Sequence, residues 1–415
     1  MILTAVKLPD QRVEAVRESL DELADLCSTA GGEITAEIIQ AREHFHPGYV
    51  FGKGKLDEIK QLCNDYNAQL VIFDGELSPS QQEKLEKILD IAVIDRPALI
   101  LDIFARHART REAKTQVELA QLEYILPRLA GHWTHLERQE SSIGTRGPGE
   151  TQLETDRRMV DKKITELKKV LLKIDSSRNT QRKGRNNISN FCLVGYTNTG
   201  KSTLFNMLTG NKTLTANRLF ATLDSTTRRV ALEGKNEMLL SDTVGFIKKL
   251  PVDLAASFKS TLMEANTADL LVHVVDFSVS DIDEKIAVVN KILTEIGASD
   301  IRRIIVFNKI DLVDNPDLQR NMLLKYPGCC FISAKTGEGI DYLKNALNDI
   351  CAELFVKLQV RIPKNDSKTI ALVSSLIQIY TSYIENDDFI IEGKSLKIDI
   401  PKFERKGAAI KIIRD

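Results

Sequence analysis

The feature that most constrains this chain is the stretch NFCLVGYTNTGKSTLFNML, which covers residues 190–208. A run of buried-type residues precedes the pattern Gly195-x-x-x-x-Gly200-Lys201-Ser202, and an amphipathic helical pattern follows it. Strand, glycine-rich turn and helix in this order form a phosphate-binding loop. The glycines let successive N–H groups turn towards phosphate oxygens, and the helix N-terminus adds positive potential. The stretch therefore predicts a nucleotide site on a mostly parallel α/β sheet.

Two side chains of this loop have predicted roles of their own. Lys201 supplies a point charge to the β and γ phosphates, and Ser202 offers a hydroxyl to Mg²⁺. The predicted nucleotide contacts in this segment are Gly195, Tyr196, Thr197, Asn198, Thr199, Gly200, Lys201, Ser202 and Thr203.

Two later strand ends indicate which base is bound. RRIIVFNKID places Asn308, Lys309 and Asp311 after a strand. A carboxylate at Asp311 can accept from both N1–H and the exocyclic amine of guanine, whereas adenine lacks that donor pair and would leave a costly unpaired group. The segment CFISAKTG then supplies a backbone that can meet guanine O6, at Ser333, Ala334 and Lys335. The order of these motifs predicts a site for GTP and GDP.

Switch segments are expected between the phosphate loop and the guanine motif. In DTVG, Asp242 is expected to hold Mg²⁺, mostly through water, and the Gly245 N–H to bind the γ-phosphate until hydrolysis removes it. Upstream, RLFATLDSTTRRV offers several threonines, of which Thr222 is favoured for Mg²⁺ and γ-phosphate, with Thr226 and Thr227 as rivals. The predicted metal ligands are Ser202, Thr222 and Asp242.

The residue after Gly245 is Phe246, in LLSDTVGFIKK. In Ras-like switches a glutamine at this place orients the attacking water, and a phenylalanine can neither orient nor deprotonate it. We therefore expect slow intrinsic hydrolysis that a partner accelerates by ordering the switches. The alternative is that Phe246 only packs, and that a nearby group assists hydrolysis. The predicted catalytic set is Lys201, Gly245, Phe246 and Thr222.

Before the phosphate loop, strand and helix patterns alternate to about residue 110. ILTAVKL, QLVIFDG and IAVIDRP read as strands, DQRVEAVRESLDELADLC as a helix, and Ser78 with Gln81 as a capping box with Pro79 behind the cap. The alternation predicts an α/β domain. The glycines of VFGKGKLDEI indicate a turn into a helix.

Two long helical patterns follow, and they predict an antiparallel helical hairpin. The first repeats leucine at positions 119, 122, 126 and 129, and the second has a coiled-coil-like seam at Val160, Ile164, Leu167, Leu171 and Ile174. The glycine-rich GHWTHLERQESSIGTRGPGETQ between them predicts a non-helical tip. The second pattern and its exit are basic, which favours an RNA-facing surface over a plain solvated helix face.

The end of the chain predicts a small α+β domain. KTIALVSSLIQIYTSYI reads as a helix, and FIIEG and SLKIDIP read as paired strands. The predicted divisions are 1–110, 111–188, 189–356 and 357–415.

Composition adds little to these motifs. The 415 residues carry a net charge of −1, six scattered cysteines, no secretory signal pattern and no apolar run long enough to cross a membrane. We expect reduced, buried thiols, a cytoplasmic location and a monomer. Peripheral association with membranes stays open.

Several of these segments together resemble one known family. The run SSIGTRGPGETQLETDRR, followed by GYTNTGKSTLFN, FATLDSTTRR and DTVGFI, is similar to the HflX family of translation-factor-class GTPases. VELAQLEYILPRL and FGKGK resemble the N-terminal part of that family. The similarity covers nearly the whole chain and is weakest over the last sixty residues. Ser225 stands where the family usually has proline.

The resemblance implies an N-terminal α/β domain, a helical linker, a P-loop GTPase domain and a small C-terminal domain. It also implies binding to the 50S ribosomal subunit and splitting of idle or stalled 70S ribosomes under stress. The hairpin tip would then meet ribosomal RNA, with predicted contacts at Trp133, Arg138, Arg146, Arg157 and Arg158. Packing of Trp133 against the N-terminal domain is an equal alternative.

Two other classes of function stay open. One is a regulatory GTP switch that acts on a protein or membrane-surface partner. The other is an RNA-remodelling NTPase that uses the N-terminal domain, which the absence of a second phosphate loop in the sequence disfavours.

Overall fold

The computed structural model describes residues 1–129, 148–183, 188–210, 219–220, 226–232, 236–248 and 264–413. Within them the chain forms three sheets, two mostly or wholly parallel and one antiparallel. The expected multidomain α/β architecture is confirmed, whereas the four domain boundaries stay predictions.

The first sheet is parallel, with strand order β2-β1-β3-β4. Its strands are β1 (Ile2–Lys7), β2 (Ala36–Ala41), β3 (Leu70–Phe73) and β4 (Ala92–Asp95). The alternating helices are Val13–Thr29, Lys53–Asp65, Pro79–Leu89 and Arg96–His107. The sequence pattern missed β2, because this edge strand buries only Ile38 and so lacks an apolar signal.

Local signals in this part of the chain are confirmed. Ser78 accepts from the Gln81 N–H, and the Gln81 side chain accepts from the Ser78 N–H, so the capping box is formed. The next helix begins at Lys53, inside FGKGK and directly after Gly52, whose backbone is extended, as expected of a turn into a helix.

Charged groups at the carboxyl edge of the first sheet satisfy one another. The fully buried Arg96 pairs with Asp74 at 2.8 Å and with Glu22. Asp95 accepts from the Leu77 N–H and from the Tyr124 hydroxyl. These partners offset the cost of burying the charges.

Helices Arg111–Ile125 and Pro148–Lys183 follow, the first continued by a 3₁₀ turn at Leu126–Arg128. They pack through the predicted apolar seams, which bury Leu119, Ile164 and Leu167. Ion pairs join Glu118 to Lys163 at 3.3 Å and Glu123 to Lys168 at 2.8 Å. These pairs advance together along both helices, whereas antiparallel helices pair in opposite order. The predicted antiparallel direction is therefore wrong for these two segments, which run in the same direction where they pack.

The predicted loop is too long at one end. The second helix already begins at Pro148, so the last five residues of the proposed non-helical tip, PGETQ, are helical. Proline suits this place, because its missing N–H is not needed in the first turn. Trp133, Arg138 and Arg146 lie outside the described residues.

The second sheet has the strand order β10-β9-β8-β5-β7-β6. Its strands are β5 (Ser189–Val194), β6 (Thr226–Ala231), β7 (Glu237–Asp242), β8 (Leu270–Asp276), β9 (Arg303–Asn308) and β10 (Cys330–Phe331). Only β6 runs antiparallel to its neighbour among the described strands of this sheet. The helices are Lys201–Thr209, Ile282–Glu295, Pro316–Lys325 and Ile340–Leu354, with a 3₁₀ turn at Ile310–Leu312.

The third sheet is antiparallel, in the order β12-β13-β11-β14. Its strands are β11 (Phe355–Pro363), β12 (Ile377–Glu385), β13 (Asp388–Leu396) and β14 (Ala409–Ile412). Short helices lie at Ser367–Leu376 and Ile400–Glu404, with a 3₁₀ turn at Lys397–Asp399. The expected small α+β part is confirmed, but two of its elements were predicted wrongly.

The first error concerns KTIALVSSLIQIYTSYI, which is a helix only to Leu376 and a strand from Ile377. A short apolar run rich in β-branched and aromatic residues cannot be assigned by periodicity alone. The strand then turns at Asn386 and Asp387, both with positive φ, as a two-residue hairpin requires.

The second error concerns FIIEG and SLKIDIP, which are not a strand pair. Residues from Asp388 to Leu396 form one strand, and the chain then continues as a 3₁₀ turn. Gly393 lies inside this strand and not in a turn. A Cβ there would lie 2.3 Å from the Gln378 carbonyl oxygen. A glycine inside a strand here permits close approach of the neighbouring backbone, next to a register shift after Ile379.

All six cysteines are buried with free thiols, as expected. Among the described residues, no helix combines the length and the apolar character that crossing a bilayer requires.

Candidate nucleotide-binding site

The motif residues meet at one edge of the second sheet. Strands β5, β7, β8, β9 and β10 are all parallel, so their carboxyl ends lie side by side. In an open α/β sheet this edge is where ligands bind. The phosphate loop follows β5, DTVG follows β7, and the guanine motif and SAK follow β9 and β10.

Two glycines of the phosphate loop occupy positions where no other residue fits. Gly195 has φ +151°, and a Cβ there would lie 2.2 Å from the Val274 carbonyl oxygen. Gly200 has φ +89°, and its Cβ would lie 2.2 Å from Asn308 Nδ2. Both glycines are therefore required by close approach as well as by backbone conformation.

The Lys201 side chain lies inside the loop and is 6% exposed. Its ammonium donates to the carbonyl oxygens of Gly195 at 3.1 Å and Tyr196 at 2.6 Å. Burial lowers the pKa of Lys201 to about 8, and the nearby Asp242 carboxylate opposes this shift. A phosphate group beside this amine would favour its charged form.

Asn308 joins two of the predicted loops. Its Nδ2 donates to the Thr199 carbonyl oxygen at 2.8 Å, and its Oδ1 accepts from the Ala334 N–H at 2.9 Å. The side chain is 2% exposed, so both hydrogen bonds are shielded from water. Sequence reasoning proposed Asn308 as a nucleotide contact and missed this structural role.

The other two residues of the guanine motif, Lys309 and Asp311, follow Asn308 directly after β9. Lys309 has φ +69°, and its ammonium lies 2.6 Å from Asp276 Oδ2. Asp311 is exposed in the 3₁₀ turn that follows. Sequence reasoning did not single out Asp276. The signal that could have found it is a buried-type strand, LLVHVVD, that ends on a carboxylate beside the guanine-motif strand.

The SAK loop is fixed by its own backbone. Ser333 is fully buried, and its hydroxyl accepts from the Thr336 N–H at 3.1 Å. Gly339 has φ +71°, and a Cβ there would lie 2.1 Å from the Phe331 carbonyl oxygen. Ala334 is buried, whereas Lys335 is exposed.

The DTVG segment lies against the phosphate loop. Asp242 ends β7 and is 3% exposed, and the next hydroxyl, of Thr243, donates to the Leu193 carbonyl oxygen at 2.6 Å. A Cβ on Gly245 would lie 2.8 Å from Thr197 Cα and 3.0 Å from Lys201 Nζ. Glycine is therefore the residue that permits this contact.

Phe246 is joined to the phosphate loop through its backbone. Its N–H donates to the Gly195 carbonyl oxygen at 3.0 Å, and its carbonyl oxygen accepts from the Thr197 N–H at 2.7 Å. Its ring is 2% exposed and belongs to a core cluster with Val194, Leu271 and Val289. The ring thus packs in the core, and the structure gives it no access to water.

Among the threonines proposed for the first switch, Thr226 is the register partner of Asp242 across β6 and β7. Thr222 lies outside the described residues. Thr226 and Thr227 begin β6, where the Thr227 hydroxyl lies 2.8 Å from that of Ser241 and 3.3 Å from Glu264 Oε2. Arg157 and Arg158 are exposed on the helix Pro148–Lys183, where Arg158 pairs with Glu154 at 2.7 Å.

A phosphate loop, a guanine motif and a DxxG segment at one edge of a mostly parallel sheet define a P-loop GTPase. Three family models match the chain: GTP-binding GTPase N-terminal over residues 17–105, GTP-binding GTPase Middle Region over 107–185, and 50S ribosome-binding GTPase over 190–309.

Curated relatives match over most of their length. GTPase HflX of Flavobacterium psychrophilum is 44% identical over 88% of this chain and 92% of its own. GTPase HflX of Escherichia coli is 42% identical over 92% of this chain and 90% of its own. The relative from Caldanaerobacter subterraneus is 46% identical over 83% and 78%. The chain belongs to the HflX family of GTPases, and its enzymatic activity is the hydrolysis of GTP.

Proposed function

We propose that this GTPase binds the 50S ribosomal subunit in its GTP form, dissociates idle or stalled 70S ribosomes, and hydrolyses GTP when the ribosome stimulates it. The observation that carries the proposal is the contrast inside the site. The guanine loops are linked by buried hydrogen bonds, whereas the residue after Gly245 offers a core phenylalanine in place of a water-orienting group.

The nucleotide contacts follow from the positions of the loops. Phosphates bind at the N-terminus of the helix Lys201–Thr209, where the Lys201 ammonium exchanges carbonyl oxygens of the loop for phosphate oxygens. Asp311 accepts from the guanine edge, and the backbone at Ala334 faces guanine O6. Gly245 donates its N–H to the γ-phosphate.

Binding the γ-phosphate requires DTVG to move. The DTVG backbone now lies against Thr197 and Lys201, the residues that would border a γ-phosphate. GTP therefore has to displace the two backbone hydrogen bonds between Phe246 and the phosphate loop, whereas GDP does not. The difference provides a nucleotide-dependent change in the position of the second switch.

The donor set fits a magnesium ion. Ser202 lies in the first turn of the loop helix, and Asp242 provides a carboxylate at the end of β7. Hydroxyl and carboxylate oxygens are the ligands that Mg²⁺ prefers. Thr222 would complete the set. When bound, the ion neutralises charge on the β and γ phosphate oxygens.

Hydrolysis is proposed to depend on the ribosome. A large RNA-rich partner can hold the switches closed and exclude bulk water, which strengthens electrostatic stabilisation of the transition state. The description of the matched family model, 50S ribosome-binding GTPase, supports this choice of partner. Exposed Arg157 and Arg158 lie on the basic helix, and Trp133, Arg138 and Arg146 are the proposed RNA contacts of the preceding tip.

The test measures GTP turnover by the purified chain with and without 50S subunits. We expect slow turnover alone and strong stimulation by the particles. Sedimentation with a non-hydrolysable GTP analogue should place the chain with 50S particles and show steep weakening with salt. The same analogue should convert 70S ribosomes to subunits.

The alternatives give different results. A GTP switch for a protein or membrane partner would stay at the top of the gradient and ignore added ribosomes. Full-speed hydrolysis by the isolated chain would reject the proposal. Deleting residues 138–150 should abolish stimulation while GDP affinity is retained, and unchanged stimulation would remove the role of the tip.

A further inference from the structure

Asp276 ends β8 directly beside Asn308, with which it is in register across the sheet. Its two carboxylate oxygens have different partners. Oδ2 lies 2.6 Å from Lys309 Nζ, and Oδ1 accepts from the Ser278 N–H at 2.9 Å and the Ser278 hydroxyl at 2.6 Å. Asp276 belongs to none of the nucleotide motifs, yet it forms an ion pair with Lys309 of the guanine motif.

The ion pair fixes the direction of the Lys309 side chain. Its side chains are 11% exposed at Asp276 and 26% exposed at Lys309, so water screens it less than a surface pair. Ser278 holds the carboxylate from the other side. A lysine has a long stem with many rotamers, and one anchored ammonium removes most of them before a ligand arrives.

We propose that Asp276 is a positioning residue for guanine, which fixes the Lys309 stem against the face of the base while Asp311 reads the edge. This inference rests on the guanine contacts proposed above. Nucleotide phosphates also attract the Lys309 ammonium, and Asp276 holds it at the base end of the site instead. Lys309 is therefore already ordered before the nucleotide binds, so binding does not include the entropic cost of ordering this side chain.

The proposal has two consequences for affinity, and the first of them separates it from an ion pair that only stabilises the fold. GDP and GTP carry the same base, so loss of Asp276 weakens both equally and leaves the chemical step almost unchanged. Lys309 covers the face and not the edge, so the preference for GDP over inosine diphosphate, which lacks the exocyclic amine, stays the same.

The experiment is a double-mutant cycle of Asp276→Asn and Lys309→Ala. Affinities are measured with fluorescent methylanthraniloyl-GDP and by competition with GDP, GTP and inosine diphosphate. We expect Asp276→Asn to weaken GDP and GTP by about tenfold each, since hydrogen bonds to charged groups have that value. In the Lys309→Ala background, Asp276→Asn should add no further loss.

Two further variants complete the design. Ser278→Ala keeps the Asp276 carboxylate but removes the hydroxyl that donates to it. This variant should cause a smaller loss of affinity, again equal for GDP and GTP. Asp283→Asn removes an ion pair with Lys325 of similar length, 2.7 Å, outside the motifs, and should leave GDP affinity within about twofold.

Wild-type affinity of Asp276→Asn, or full additivity with Lys309→Ala, would overturn the proposal. Should Asp276→Asn fail to fold, Ser278→Ala decides: an equal loss for both nucleotides supports the proposal, and unchanged affinity rejects it. The guanine contacts themselves are tested separately by Asp311→Asn. If that variant keeps the preference for GDP over inosine diphosphate, the contacts fail, whatever Asp276 does.

Discussion

The two ends of the nucleotide site are held together in different ways. At the base end, side chains of Asn308 and Asp276 bridge separate loops through buried contacts. At the phosphate end, DTVG is joined to the phosphate loop by two backbone hydrogen bonds of Phe246. The side-chain links join loops through fixed partners, whereas the proposed movement of DTVG requires only the two backbone hydrogen bonds of Phe246 to open while its ring stays in the core.

The largest expected effect comes from removing the anchor behind the switch. Phe246→Ala leaves a cavity beside Val194 and Leu271 and should lower the free energy of unfolding by about 3–5 kcal/mol, measured by denaturant unfolding. Phe246→Leu should cost less than about 1.5 kcal/mol.

A second substitution of Phe246 tests whether the side chain at this position takes part in hydrolysis. Phe246→Gln buries an amide in an apolar cluster and should cost about 2–4 kcal/mol of stability without raising intrinsic GTP turnover. A large rise in turnover by the isolated variant would mean that the side chain at position 246 reaches the attacking water. It would contradict the conclusion that this side chain only packs in the core.

Next in size is the junction of the two ends. Gly200→Ala places a Cβ 2.2 Å from Asn308 Nδ2 at a positive φ and should weaken GDP by at least about a hundredfold, measured by fluorescence titration. Gly210→Ala is the matched control, since Gly210 has φ +68° with nothing within 4 Å. It should cost about 1 kcal/mol of stability and leave GDP affinity unchanged.

A smaller effect is expected at the base end alone. Asn308→Ala leaves the Thr199 carbonyl and the Ala334 N–H without their partner and should cost about 2–3 kcal/mol of stability. Asn236→Ala removes half-buried hydrogen bonds to Asn348 and Lys394 and should cost about 1 kcal/mol, because water can replace both partners. Equal losses in thermal unfolding would show that the base end is not specially rigid.

The smallest effect is a pH dependence at the phosphate end. The pKa of Lys201 is lowered to about 8 in the folded chain, so above this pH the folded state binds fewer protons than the unfolded one. Stability should therefore rise with pH between about 8 and 10.5 through this group, while GDP affinity falls about tenfold by pH 9 because phosphate binding needs the charged amine.

Lys201→Arg separates the two causes of that decline. A guanidinium stays charged throughout this range, so the part of the decline due to Lys201 should vanish. If GDP affinity falls by the same factor in Lys201→Arg, the fall is caused by titration of the guanine base.

Sequence patterns succeeded where one short segment carries the physical reason. The capping box at Ser78, the glycines of the phosphate loop and the apolar seams of the long helices are all local, and all are formed. Patterns failed in the third sheet, because Ile377 continues an apolar run that helix and strand share, and because Gly393 serves a neighbouring strand.

The sequence alone determined which chemical groups are present and in what order: a phosphate loop, an aspartate and glycine pair, a guanine motif and a phenylalanine where a glutamine would orient water. Only the tertiary structure decided that Asn308 links two loops, that Asp276 holds Lys309, and that the Phe246 ring packs away from the site. Local order follows from backbone preferences within a few residues. Partnerships between strand ends depend on sheet register, which no single segment encodes.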